Sequence, residues 1–204
     1  AADWQVAGGR LQQLNNGGAP VGGGQTYIRG TYALLNTNAG LSDFEFTAEI
    51  IPRNESVLRR GDGVGLMFRY VDDDNYYRIS VDSRFGNTRL ERKLAGIWST
   101  MAVSAQGYLP ASTLRLGVRV SGPAILVYRD YGGLSGVLDG EPYMAAYDMS
   151  LSTGGVALYT KSEADFDNVE VRSLDGGPRV GVAAPRPYGI VPDGTIEARA
   201  VVLN

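Results

Sequence analysis

Arg69, Tyr76, Arg78, Ser80 and Asp82 fall where period-two alternation places them on one face of two consecutive extended runs, and Arg89, Glu91 and Lys93 continue that face on a third run. Aromatic rings stack on the apolar faces of sugars, while guanidinium and carboxylate groups hydrogen-bond hydroxyls in fixed geometry. Arg69, Tyr76, Arg78, Asp82, Arg89 and Glu91 are therefore expected to line a face able to take a polysaccharide or glycan. A solvated sheet face laced with cross-strand ion pairs would use the same residue types.

A second constellation lies near residue 167. Alternation sets Asp165 and Asp167 on the same face as Val169 and Val171, which is expected to face the core. A carboxylate in such a place needs a partner. Calcium, held by carboxylate and carbonyl oxygens, would satisfy it, with Asp3 and Asp43 as co-ligands if the first and last strands are neighbours. Backbone N–H groups or an arginine would serve equally well. The acidic run Asp72-Asp73-Asp74-Asn75 has the chemistry of a turn, and it lacks the glycine and terminal glutamate of an EF-hand loop.

What the chain lacks narrows the chemistry further. There is no cysteine and no histidine, so disulfides, thiolate metal sites, thiol nucleophiles and serine–histidine catalysis are excluded. The net charge of −3 is spread along the sequence, with no basic cluster of the kind that tracks nucleic acid. No apolar run approaches the roughly 20 residues of a membrane helix. No signal-peptide pattern is present at the N-terminus, so an exported protein is expected to be in its mature form.

The elements that must position these residues are strands. Alternating β-branched and aromatic segments recur, separated by Gly and Asp/Asn turns, and no segment sustains helical periodicity. Strands are predicted at 4–7, 10–14, 27–35, 44–51, 63–71, 76–82, 88–94, 97–103, 113–120, 125–130, 142–147, 156–160 and 166–172. So many short strands do not form one flat open sheet, so two packed antiparallel sheets are expected. The clearest hairpin joins 64–71 to 76–82. Glycine runs at 17–18 and 22–24 mark loops that are expected to move or to fold over a sheet face. After residue 174 the composition becomes Pro- and Gly-rich, which predicts a sandwich over 1–174 and a linker with a final strand over 175–204. In that final strand Ile196, Ala198, Ala200 and Val202 share one face, and such a strand must pair with something or stay disordered.

In order along the chain, Trp4-Gln5-Val6-Ala7-Gly8-Gly9-Arg10-Leu11, Gly63-Val64-Gly65-Leu66-Met67-Phe68-Arg69-Tyr70, Asn75-Tyr76-Tyr77-Arg78, Leu90-Glu91-Arg92, Gly155-Val156-Ala157-Leu158-Tyr159 and Phe166-Asp167-Asn168-Val169 resemble the concanavalin A-like lectin and glucanase superfamily, near its laminin-G-like sandwiches. The resemblance covers about residues 1–173 and implies an all-β, two-sheet antiparallel jelly-roll sandwich with one concave sheet. In relatives that sheet binds a carbohydrate, cleaves one, or only holds domains together. Laminarinase-type members carry Glu-x-Asp-x-x-Glu on one strand, and the nearest acidic strand here, with Glu45 and Glu49, lacks the central Asp. Calcium sites at the sandwich edge also occur among relatives.

A secreted, non-catalytic module binding carbohydrate or mediating adhesion at the cell surface is the expectation. Its rival is a structural subunit of an extracellular filament, with the 195–203 strand completing a sheet in the next copy. A sugar-acting enzyme ranks third. Arg60-Gly61-Asp62 and Asn54-Glu55-Ser56 match the integrin tripeptide and the N-glycosylation pattern, and neither decides the function.

Overall fold

A computed structural model describes residues 3–15, 30–35, 40–53, 63–83, 85–109, 112–131 and 137–174, and the backbone of two short strands at 179–181 and 201–202. The two tripeptides at 54–56 and 60–62, the glycine runs, the start of the 27–35 segment, and Ile196, Ala198 and Ala200 lie outside the described residues.

The described segments are strands, with no helix among them. In order these are β1 (Trp4–Ala7), β2 (Arg10–Gln13), β3 (Thr31–Leu35), β4 (Phe44–Pro52), β5 (Gly63–Asp72), β6 (Asn75–Asp82), β7 (Asn87–Leu94) and β8 (Ile97–Ser104). They continue with β9 (Leu114–Ser121), β10 (Ala124–Asp130), β11 (Met144–Tyr147), β12 (Gly155–Thr160), β13 (Ala164–Ser173), β14 (Arg179–Gly181) and β15 (Val201–Val202). The first thirteen coincide with the predicted ones, shifted by no more than two residues at their ends except at β3, which begins at Thr31 where 27–35 is predicted, residues 27–29 lying outside the described ones.

Two antiparallel sheets result. The larger runs β1-β2-β13-β4-β9-β10-β11, with β14 added beside β13 and β15 beside β14, and the smaller runs β3-β12-β5-β6-β7-β8. On β4, Phe44, Phe46, Ala48 and Ile50 point inward, while Glu45, Thr47 and Glu49 point out. They meet Leu66, Phe68, Tyr77, Ile79 and Val81 of the smaller sheet in one core. Each of these larger apolar side chains contributes roughly 1.5–3 kcal/mol by leaving water.

Bulges break the alternation at two places that matter for the site. At Arg69, which has φ 44°, β5 carries one extra residue against β12, Phe68 pairing with Val156 and Tyr70 with Gly155, and the β5–β6 register also shifts between Phe68 and Asp72. Asp167 and Glu170 of β13 face Glu49 and Thr47 of β4, which sets Asn168 and Val169 against Ala48 alone, and Asn168 has φ 47°. One extra residue exchanges the faces of everything beyond it.

Candidate functional site

The outer face of the smaller sheet carries the largest convergence of polar and aromatic side chains, and register explains which of them meet. One rung across the strands reads Leu34, Ala157, Met67, Arg78, Glu91 and Thr100. The next reads Tyr32, Tyr159, Gly65, Ser80 and Arg89, and the one beyond it Gly63, Asp82 and Asn87.

At the centre, Arg78 donates from Nε and Nη2 to Glu91 Oε2 at 2.8 and 2.6 Å, and from Nη1 to Tyr159 Oη at 3.0 Å. Its guanidinium lies 4.1 Å over the Trp98 ring and 4.6 Å over that of Tyr159. Arg89 Nε stands 3.4 Å from the other oxygen of Glu91. Burial opposes the charge of Arg78, but Tyr159, Glu91 and Tyr76 outweigh it and raise its pKa. Burial likewise pushes the Tyr159 hydroxyl up.

Four rings cross the sheet beside this pair. Tyr32 and Tyr70 lie 5.4 Å apart, Tyr70 and Tyr76 stack at 5.9 Å, and Tyr76 meets Trp98 edge-on at 5.5 Å. Tyr76 is buried, whereas Tyr32, Tyr70 and Trp98 are half-exposed. The row is pinned at its Tyr end, where Tyr32 donates to Asp73 and Tyr70 does so at 3.2 Å. Lys93 binds the Asp73 carbonyl and the Asp74 carboxylate at 2.7 and 2.8 Å, which fixes the β5–β6 turn against β7.

Sequence alternation thus brings together Tyr76, Arg78, Asp82, Arg89 and Glu91, but not Arg69. The bulge turns Arg69 off this face and into the end of the sandwich, where it donates to the carbonyls of Leu151, Ser42 and Gly122 at 3.0, 2.9 and 2.9 Å. Tyr70 takes its place in the ring row. The face is also not solvated: Arg78, Ser80, Asp82 and Glu91 are 0% exposed. Alternation missed Tyr32, Trp98, Tyr159 and Lys161. Tyr32, Tyr159 and Trp98 sit in strands and Lys161 follows one directly, but which strands neighbour one another is not written locally.

The four aspartates proposed for calcium do not assemble. Ala164 and Phe166 face the core, so Asp165 and Asp167 point outward, and the extra residue at the Asn168 bulge returns Val169 and Val171 to the inside. Asp165 is matched by Arg53, at 2.6 and 2.9 Å, and Asp167 by Arg10 at 3.2 Å. Asp43 lies at the other end of the β4–β13 ladder, accepting from the Gly122 N–H at 2.8 Å, while Asp3 sits beside β2, its carbonyl accepting from Leu14 N. Among the described residues no three acidic side chains come together as a metal site.

The outer face of the larger sheet is different in kind. Cross-strand pairs cover it, Arg119 with Glu45 at 2.7 Å and Arg115 with Glu49 at 2.8 Å, so the two glutamates considered for glycoside cleavage are each matched to an arginine. A hollow of about 280 Å³ there is lined by Glu45, Thr47, Arg119, Leu138, Glu170 and Arg172 among others, with no ring on which a sugar could stack. Of the proposed assembly strand, Val202 is described, and its backbone pairs with Val180 of β14 in the same chain.

No family model matches the sequence, and no curated protein does either. Solved structures do match in fold. The carbohydrate-binding module CBM66 from Bacillus subtilis is 22% identical, with a TM-score of 0.64 over 85% of this chain and 92% of that one. A GH43 protein from Bacillus licheniformis is 15% identical, with a TM-score of 0.54 over 81% of this chain and 33% of that one. A functionally unknown protein from Saccharomyces cerevisiae is 13% identical, with a TM-score of 0.52 over 85% of this chain and 93% of that one. The fold is the two-sheet, concanavalin A-like jelly-roll sandwich.

Proposed function

We propose that this chain is a non-catalytic carbohydrate-binding sandwich whose ligand lies on the outer face of the six-stranded sheet. The observation that carries the reading is the row of half-exposed rings, Tyr32, Tyr70 and Trp98, set directly beside a buried polar group of Arg78, Glu91, Arg89, Ser80 and Asp82. Rings supply a flat apolar platform for the C–H face of a sugar, and the polar group supplies fixed hydrogen-bonding partners for its hydroxyls. The likeness to a protein named as a carbohydrate-binding module supports this reading. A polysaccharide ligand implies work outside the cell or at its surface.

Affinity electrophoresis of the whole chain through gels containing soluble polysaccharides, with and without calcium, tests the proposal. Retardation by at least one polysaccharide is expected, and Trp98→Ala should abolish it while leaving the melting temperature within a few degrees. A chain retarded by none of them, under either condition, would refute the reading.

A further inference from the structure

Lys161 follows β12 and its N–H donates to the carbonyl of Gly63 at 2.7 Å. On the other side of Gly63 stands Asp82, its partner in the β5–β6 ladder. Because Gly63 has no side chain, the space above it is left to its neighbours. A Cβ there would lie 3.1 Å from Ser80 Oγ and 3.3 Å from Lys161 Cδ. Lys161, Ser80 and Asp82 therefore close on one point of the face, next to the Arg78–Glu91 pair.

All three are at least nine-tenths buried, with Lys161 3%, Ser80 0% and Asp82 0% exposed. Among the described residues Ser80 Oγ and Asp82 Oδ2 meet no hydrogen-bond partner, and Lys161 Nζ makes neither a hydrogen bond nor an ion pair. Asp82 Oδ1 is already used, accepting from the Phe85 N–H at 3.0 Å. Buried polar groups left in this condition are costly, and such groups cluster where a ligand or water completes them.

We propose that Lys161, Ser80 and Asp82 read a pair of neighbouring hydroxyls on an uncharged sugar, a specificity that rests on the carbohydrate reading of this face. Charge balance selects the ligand class. Arg78 and Arg89 are both directed at Glu91, which leaves one cation, Lys161, and one anion, Asp82, without ion-pair partners among the described residues. A ligand carboxylate would gain Lys161 but crowd Asp82 and Glu91, and a ligand cation would meet the reverse. A hydroxyl both donates and accepts, so two adjacent ones can accept from Lys161 Nζ and donate to Asp82 Oδ2, with Ser80 Oγ free to serve either.

The test compares wild type, Lys161→Met, Asp82→Asn and Trp98→Ala by affinity electrophoresis on soluble neutral glucans and xylans and on polygalacturonate. The wild type should be retarded by a neutral polymer and not by polygalacturonate. Lys161→Met and Asp82→Asn should each weaken that retention about tenfold or more, the loss expected for a hydrogen bond to a charged group. Lys161→Met removes a buried cation and should melt no lower than wild type, so its loss of binding is not a loss of fold. If both variants bind as wild type does while Trp98→Ala does not, the hydroxyl-reading assignment falls and the carbohydrate reading stands. A preference for polygalacturonate also overturns the assignment. Retention of the wild type by nothing at all overturns both.

Discussion

Arg78 and Glu91 face each other across adjacent strands with two guanidinium nitrogens on one carboxylate oxygen and no exposure to water on either side. Such a pair is held by geometry more than by net gain, since each charge was expensive to desolvate. Removing one partner should therefore cost far more than the pair is worth. Glu91→Ala is expected to lower unfolding stability by about 3–5 kcal/mol. Replacing both, Arg78→Met with Glu91→Leu, should recover most of that loss. Urea denaturation of the two variants checks the sign, and a double variant as unstable as Glu91→Ala would contradict it.

Lys161 makes a prediction of opposite sign. Burial, then repulsion from Arg78, pulls its pKa down to about 8. An unfolded lysine titrates near 10.4, so between these values the unfolded chain holds more protons and stability rises with pH. Below pH 8 the full cost is present, on the order of 3 kcal/mol. Lys161→Met is expected to be more stable than wild type at pH 7, with the gap closing toward pH 10. Measuring the difference between the two proteins cancels the tyrosines common to both. A gap that does not narrow from pH 8 to pH 10 would show that Lys161 is not buried as a cation.

How far the sequence reached is visible at particular residues. Alternation found the thirteen strands and put Tyr76, Arg78, Asp82, Arg89 and Glu91 on one face, because period-two patterning is a local property. It misplaced Arg69 and reversed Asp165 and Asp167, each at a bulge holding a residue with positive φ, Arg69 against β12 and Asn168 against β4. Arg69 is not a residue type that announces a bulge, and Asn168, which tolerates the left-handed region, gave only a weak local sign. Lys161, Tyr159 and Trp98 were not recognised for a second reason. They join Arg78 only through the order β12-β5-β6-β7-β8, and that order is settled by packing across the whole sheet.

Arg69 shows what such a bulge is for. Its guanidinium ties together the carbonyls of Ser42, Gly122 and Leu151, drawn from three separate connections at one end of the sandwich. Arg69→Ala leaves those acceptors without their donor and keeps the strained backbone, so a loss of about 2–4 kcal/mol is expected. Arg69→Gly relieves the positive φ while losing the same bonds. It should be less damaging than alanine by about 1 kcal/mol, against the usual order for a strand. Thermal unfolding of the pair reads this directly, and alanine proving the more stable of the two would mean that the backbone at 69 is not held in the left-handed region.

Asp148 gives the acid limb of stability. Burial alone would raise its pKa, but the Tyr77 hydroxyl, Ser150 and then Arg92 outweigh that and hold the carboxyl below its ordinary range. A group depressed in the folded state contributes stability that is complete above the unfolded pKa, near 3.9, and is lost as pH falls through the folded value. Tyr77 is the other half of the contact: burial, then Asp148, pushes it up to about 12, so its contribution is complete below pH 10 and fades as pH climbs from 10 toward 12. Asp148→Asn should flatten part of the acid limb below pH 4, and Tyr77→Phe should flatten the alkaline limb above pH 10 while weakening the acid one. Tyr77→Phe removes and Asp148→Asn weakens the same contact at one end of the sandwich, so their effects on melting temperature at pH 7 should be less than additive. Fully additive losses would show that the two side chains do not act on each other.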